Sequence, residues 1–194
     1  MVALDRNEPD ETPALLSTER LSLRPHRPSD VPFMMEMSAD PEVIRYTGDP
    51  PFASEDEARA VIARLAHQFE AFRMGRFVVS DRKTGEKLGW CGLKWHEDDE
   101  LADLGYRFLR KHWGRGYATE SAAACVRYAF EELGLPRLVA HAMLENAASV
   151  RVLEKLGFRR TGPGVCKGFA AEEFVLPRPA PPRPASDVAH SGSR

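Results

Sequence analysis

Cysteine, net charge and long apolar runs are all scarce in this sequence, and each shortage excludes something. Cys91, Cys125 and Cys166 are the only three cysteines in 194 residues. Odd in number, far apart along the chain and set among apolar neighbours, they read as buried thiols of a reducing compartment, not as a disulfide frame or a metal cluster. The 27 basic and 29 acidic side chains nearly cancel, leaving a formal charge of −2. Without a basic footprint, nucleic acid is not an expected partner. No apolar stretch reaches the ~20 residues that a membrane-spanning helix needs. The acidic N-terminal segment, with Asp5, Glu8, Asp10 and Glu11, does not resemble a secretory leader. A cytoplasmic protein with no membrane partner is expected. No two histidines have metal-ligand spacing, so no metal is expected either.

What is present divides into three parts. Residues 1–16 are polar and read as a loose arm. Residues 17–176 carry the periodic apolar pattern and suffice for one sizeable core. Residues 177–194 hold five prolines among Ala, Ser and Arg, an extended tail.

Along the middle part, Leu21 and Leu23 alternate with polar residues, the mark of a strand closed by Pro25 and Pro28. Ser29 can cap a short helix carrying Phe33, Met34 and Met37, and Pro41 ends it or starts another half-turn. Ser54 followed by Glu57 forms a capping box, with Ala58, Val61, Ile62, Leu65, Phe69 and Phe72 as an apolar stripe behind it. Gly75 stands where a helix C-cap glycine belongs. Strands are predicted over 76–80, 87–95 and 101–109, joined by turns at 81–85 and 97–100, which makes an antiparallel meander. Further strands are predicted over 137–143, from 158 and over 171–176. Between them Asn146 caps a helix with Val150, Leu153 and Leu156 on one side and Gly157 at its end. This order is α+β, a mixed and mostly antiparallel sheet with helices, and not a doubly wound parallel sheet.

The third strand of the meander leads into Trp113-Gly114-Arg115-Gly116-Tyr117-Ala118-Thr119-Glu120. A helix follows, with Ala122, Cys125, Val126, Ala129, Phe130 and Leu133 at helical spacing and Gly134 and Pro136 as its stop. A strand, a glycine turn and a helix together can hold a phosphate: glycines let the backbone approach, and the unpaired N–H groups of the first helical turn face the anion. The plainer reading is a tight turn and nothing more. A dinucleotide fingerprint fails because Thr119 replaces its third glycine and the preceding strand belongs to a meander. A triphosphate loop fails because no Gly-Lys-Ser/Thr follows.

Four blocks in order, Leu104-Gly-Tyr106, residues 113–120, Asn146-Ala-Ala-Ser149 and Leu153-Glu-Lys-Leu-Gly-Phe158, resemble the GNAT superfamily of acyl-coenzyme A N-acetyltransferases. The nearest branch looks like that of the ribosomal-protein alanine N-acetyltransferases, and the resemblance covers residues 18–162. It implies acetyl-CoA as co-substrate, a primary amine as acceptor, either a peptide N-terminus or a small amine, and a monomer or homodimer. It places the coenzyme pyrophosphate on main-chain amides of Arg115, Gly116, Tyr117, Ala118 and Thr119, with Gly114 shaping the loop. The pantetheine arm is expected along main-chain groups near Phe108, Leu109 and Arg110, where the resemblance implies two strands splayed apart around an acyl-CoA cleft with the thioester in the gap. Asn146 and Ser149 match positions used near the pantetheine and the thiol. The tyrosine that many members use as acid to the leaving thiolate is Leu153 here, which leaves Ser149, a water or no acid at all.

Acetyl transfer from a thioester needs a neutral amine, a stabilised oxyanion and a leaving thiolate. Asp103, two residues before Gly105, is the sequence's first candidate for base, with a solvent-facing strand acid as the alternative. Glu120 reads as structural, favoured by the helix dipole. Arg110, Lys111 and Arg115 are placed to meet the coenzyme phosphates. His112 reads as a surface residue, His141 as a satisfied half-buried one, and Trp90, Trp95 and Trp113 as packing residues. A non-catalytic acyl-CoA-binding module is the alternative function.

Overall fold

The protein is described by a computed structural model over residues 13–180. Strands β1 (Leu16–Ser17) and β2 (Leu21–Arg24) form an antiparallel pair, Leu16 opposite Leu23. The Leu15 N–H donates to the Leu23 carbonyl at 2.8 Å, and Leu15 and Leu16 pack on the core. The arm expected to run loosely to residue 16 is therefore fixed before that point, because its apolar end has strand partners and a surface to cover. The remainder of that arm, and the tail beyond residue 180, lie outside the described residues.

A 3₁₀ turn leads into α1 (Val31–Ala39), followed by the single turn α2 (Pro41–Ile44) and then α3 (Glu55–Phe72). At the start of α3 the Ser54 hydroxyl accepts from Glu57 N, and the Glu57 carboxylate accepts in return from Ala53 N at 2.7 Å. The helix ends at Arg73, whose φ of 56° and bond to the Phe69 carbonyl make it the left-handed cap. Gly75, expected in that role, instead turns its carbonyl to Leu93 N at 2.9 Å. Of the apolar stripe only Ala58 and Ile62 are buried, while Val61 and Leu65 line an open cleft.

The meander forms as β3 (Arg76–Asp81), β4 (Lys87–His96) and β5 (Leu101–Phe108), antiparallel throughout. A 3₁₀ turn and the glycine loop lead to α4 (Tyr117–Arg127), which widens into a π turn over Tyr128–Glu132. Then come β6 (Arg137–Ala142), α5 (Ala147–Lys155), β7 (Arg159–Cys166) and β8 (Phe169–Pro177). The sheet order is β1-β2-β3-β4-β5-β6-β8-β7. Phe77, Leu88, Cys91, Leu93, Leu104, Cys125, Leu138 and Phe174 are among the buried residues joining this sheet to α4 and α5. Pro177, assigned to the tail, closes β8 because it lies opposite Arg137, the first residue of β6.

One join in this sheet differs from the rest. Strands β5 and β6 run parallel and share a single register pair, Asp103 opposite Val139. Beyond it the two strands share no further pair, while β6 stays paired along its other edge with β8. The opening lies between the end of β5 and the start of α5.

Candidate active site

The glycine loop sits at the C-terminal end of β5. Gly114 and Gly116 hold φ of 74° and 79°, a region that side chains with a Cβ rarely adopt. Gly116 is the N-cap of α4, and the amides of the first turn have no acceptor inside the helix. Glu120 anchors this end structurally, as expected. Its carboxylate accepts from Arg20 Nε at 2.6 Å, from Arg20 N at 3.1 Å and from the Thr18 hydroxyl, which ties α4 to the turn between β1 and β2. The Arg20 guanidinium also lies over the Tyr117 ring, 4.8 Å from its centre.

Several residues near the loop differ from expectation. His112 is buried rather than on the surface, with its ring edge-on to Tyr117 and Nε2 3.3 Å from Glu86. Trp113 is 47% exposed and so is no packing residue; its indole N–H instead donates to the Phe108 carbonyl at 2.8 Å. Lys111 is held by Glu86 at 3.1 Å, while Arg110 and Arg115 project into solvent. The 3₁₀ turn uses the Leu109 and Arg110 carbonyls, which accept from His112 N and Trp113 N, and Leu109 N donates to Leu88 O.

A cleft of about 1200 Å³ opens on the other side of the β5–β6 divergence, between α1, α3 and the end of the β7–β8 hairpin. It reaches through the gap to Asn146, Ser149 and Leu153. Asn146 caps α5 through its Oδ1, which accepts from Ser149 N at 3.1 Å. Tyr106 brings its hydroxyl 3.0 Å from Ser149 Oγ and 3.1 Å from the Ser149 carbonyl. Burial pushes the Tyr106 hydroxyl well above its ordinary pKa, so it stays protonated.

Asp103 faces the same cleft, but not as a free carboxylate. Arg76 Nη2 binds its Oδ2 at 2.6 Å, and Arg76 Nη1 donates to the carbonyls of Asp103 (3.0 Å) and Gly92. Gly105 makes room for this, since a Cβ there would stand 2.7 Å from the guanidinium carbon. His141 Nδ1 lies 3.7 Å from Asp103 Oδ1. Burial opposes the charge on Asp103, yet Arg76 and His141 outweigh it and hold the carboxyl below its usual range. His141 moves the other way: the Asp103 carboxylate 3.7 Å away raises its pKa against the effect of burial.

Arg76 belongs to no motif in the sequence, and its one signal there is the Gly105 that admits it. Trp90 meets two guanidiniums, Arg76 at 5.5 Å and Arg107 at 5.2 Å from its ring centre. Arg107 pairs with Asp49 at 2.7 Å, and Asp49 also binds Lys167 from the β7–β8 turn. That contact brings the hairpin over the loop after α2. Cys166 lines the cleft half-buried, whereas Cys91 and Cys125 are fully buried with sulfurs 3.8 Å apart. Among the described residues no cluster of His, Cys, Asp or Glu could hold a metal ion, and no helix is long and apolar enough to cross a membrane.

Comparison with known proteins shows the family of the chain. Residues 20–159 match the acetyltransferase (GNAT) domain. An uncharacterized N-acetyltransferase, p20 of Bacillus licheniformis, is 32% identical over 148 residues, covering 76% of this chain and 83% of that protein. The FsC-acetyl coenzyme A-N(2)-transacetylase of Aspergillus fumigatus is 35% identical over 73% of this chain and 63% of its own length. An acetyltransferase from Agrobacterium tumefaciens superposes with a TM-score of 0.74 at 28% identity, covering 89% of this chain and 98% of that one. The chain belongs to the GNAT acetyltransferase family and is an N-acetyltransferase.

Proposed function

We propose that the protein carries the acetyl group of acetyl-CoA directly to the primary amine of a peptide N-terminus or a small molecule of low net charge. The observation that carries this reading is the divergence of β5 and β6 beside the N-terminus of α4. It puts an anion-binding helix end, an unpaired strand edge and an open cleft in one line. The amides of Arg115, Gly116, Tyr117, Ala118 and Thr119 would take the pyrophosphate, with Gly114 setting the loop. The pantetheine arm would run along β5 upstream of the position expected from sequence, because the main-chain groups at Phe108, Leu109 and Arg110 are largely engaged. Alternate main-chain groups between Leu104 and Arg107 face the opening. Ser149 and Asn146 then lie at the thioester, where the Ser149 hydroxyl can donate to the departing sulfur and Tyr106 keeps it in place.

The charge of the cleft supports the acceptor class. Arg64, Arg76, Lys94, Arg107 and Lys167 line it together with Asp49, Glu57, Asp99, Asp103 and Glu173, five cations against five anions. A polycation meets no acidic trap there. Of the acidic turn at 97–100, Asp99 is the one residue that reaches the lining.

An acceptor screen tests this reading. Peptides with free N-termini, monoamines, polyamines and aminoglycosides are incubated with acetyl-CoA, and thiol release and the mass of each product are followed. Acetylated peptides or monoamines are expected ahead of polyamines. Tight acetyl-CoA binding with no acetylated product across the panel would favour a non-catalytic module instead.

A further inference from the structure

The Asp103 carboxylate, the first choice for base on sequence, is poorly suited to take a proton. Arg76 binds one oxygen at 2.6 Å and the other faces His141 Nδ1 at 3.7 Å, so the guanidinium holds the carboxyl in its charged form and disfavours its taking a proton. His141 is in a different position. It sits on β6 just past the single β5–β6 pair, where the strands open, and its side chain lines the cleft. With Nδ1 turned to Asp103, Nε2 is the ring nitrogen directed away from the carboxylate. Across the same opening stand Tyr106 and Ser149, 3.0 Å apart.

We propose that His141 is the catalytic proton acceptor and that Asp103, clamped by Arg76, is a positioning residue that fixes its ring. This rests on the acetyl-transfer reading given above. In the step, the amine nitrogen bonds to the thioester carbonyl carbon and passes a proton to His141 Nε2. The carbon–sulfur bond breaks and its electron pair leaves on the sulfur, which accepts a hydrogen bond from the Ser149 hydroxyl. The imidazolium then returns the proton to solvent. The result is one amide, one coenzyme A thiolate and one proton from one amine and one acetyl-CoA.

The charged and titratable groups around His141 are Asp103 on β5, Glu173 opposite it on β8, Arg76 behind Asp103, and Cys166 on β7 along the same cleft. The two carboxylates favour the imidazolium. A base must be neutral to act, so activity is expected to rise with pH through a value above 6.5, the ordinary histidine value.

The experiment compares the wild type with His141→Gln and Asp103→Asn, using the best acceptor of the panel, with acetyl-CoA affinity measured by calorimetry. His141→Gln is expected to lower kcat about a hundredfold or more with acetyl-CoA affinity unchanged, and to remove the acidic limb of the pH profile. Asp103→Asn is expected to move that limb to lower pH. Retained kcat and an unmoved limb in both variants would overturn the assignment while leaving acetyl transfer intact. Loss of acetyl-CoA binding by the wild type would instead overturn the transfer reading itself. A second measurement, the NMR titration of the His141 ring, needs no acceptor. A ring that titrates above 6.5, falls in Asp103→Asn and shifts on adding acetyl-CoA supports the proposal. A ring that titrates at or below 6.5, or ignores acetyl-CoA, overturns it.

Discussion

His26 is buried at 6% exposure, and neither ring nitrogen has a hydrogen-bond partner among the described residues. It lies beside the buried carboxylate of Asp30, which Arg24 grips through two bonds of 2.7 and 2.9 Å and Lys87 through one of 2.6 Å. Burial pulls the His26 pKa from 6.5 down to about 4; Asp30 opposes this, while Arg24 and Lys87 add to it. The neutral ring therefore supports the fold fully above 6.5, and that support is lost as pH falls from 6.5 toward 4. The loss is on the order of 3 kcal/mol. His112, also lowered by burial, adds to the same slope, whereas the raised His141 works against it. Denaturant midpoints taken from pH 7 to 4 should fall steeply for the wild type and much less for His26→Leu. An equal slope in the two proteins would show that His26 is not the group responsible.

At the scale of elements, the phosphate-binding end of α4 rests on two left-handed glycines. Gly116→Val would force a β-branched residue to φ near 79°, at a cost of ~1–3 kcal/mol. The free loop can relax out of that conformation, and binding would have to restore it. Acetyl-CoA affinity should fall about tenfold to a hundredfold while the circular dichroism spectrum and thermal midpoint stay close to wild type. Unchanged affinity would remove the pyrophosphate from this turn. The elements themselves were largely legible in the sequence. The Ser54–Glu57 capping box, the strand alternation at Leu21 and Leu23, and Asn146 as a cap all formed as read. Local chemistry was enough for these. It was not enough at Gly75, where a glycine stood near a helix end but Arg73 took the left-handed position, because Gly75 is held by β4. Nor was it enough at His112 and Trp113, whose exposure depends on how Tyr117 and the Phe108 carbonyl meet them across the loop.

At the scale of the whole molecule, what could not be read was long-range pairing. The meander was legible because its turns are short, but the insertion of β8 between β6 and β7 depends on contacts far apart in sequence. That insertion holds β6 along one edge, while a single register pair joins its other edge to β5, and the splay that the family resemblance implies lies there. The same pairing brings Glu173 opposite His141 and carries Lys167 across to Asp49, so the cleft's charge balance was equally hidden. The candidate site was half legible: the glycine turn, Asn146 and Ser149 stood out as motifs. Arg76 and Arg107 did not, since their importance lies in what they touch from β3 and β5.

Acetyl transfer as proposed requires a donor held at the N-terminus of α4 with its thioester in the β5–β6 gap. Calorimetric titration of acetyl-CoA into the wild-type protein tests this most directly. One-to-one binding at micromolar strength, a free energy of about −8 kcal/mol, is the predicted result. Absence of any saturable heat up to millimolar acetyl-CoA would contradict it.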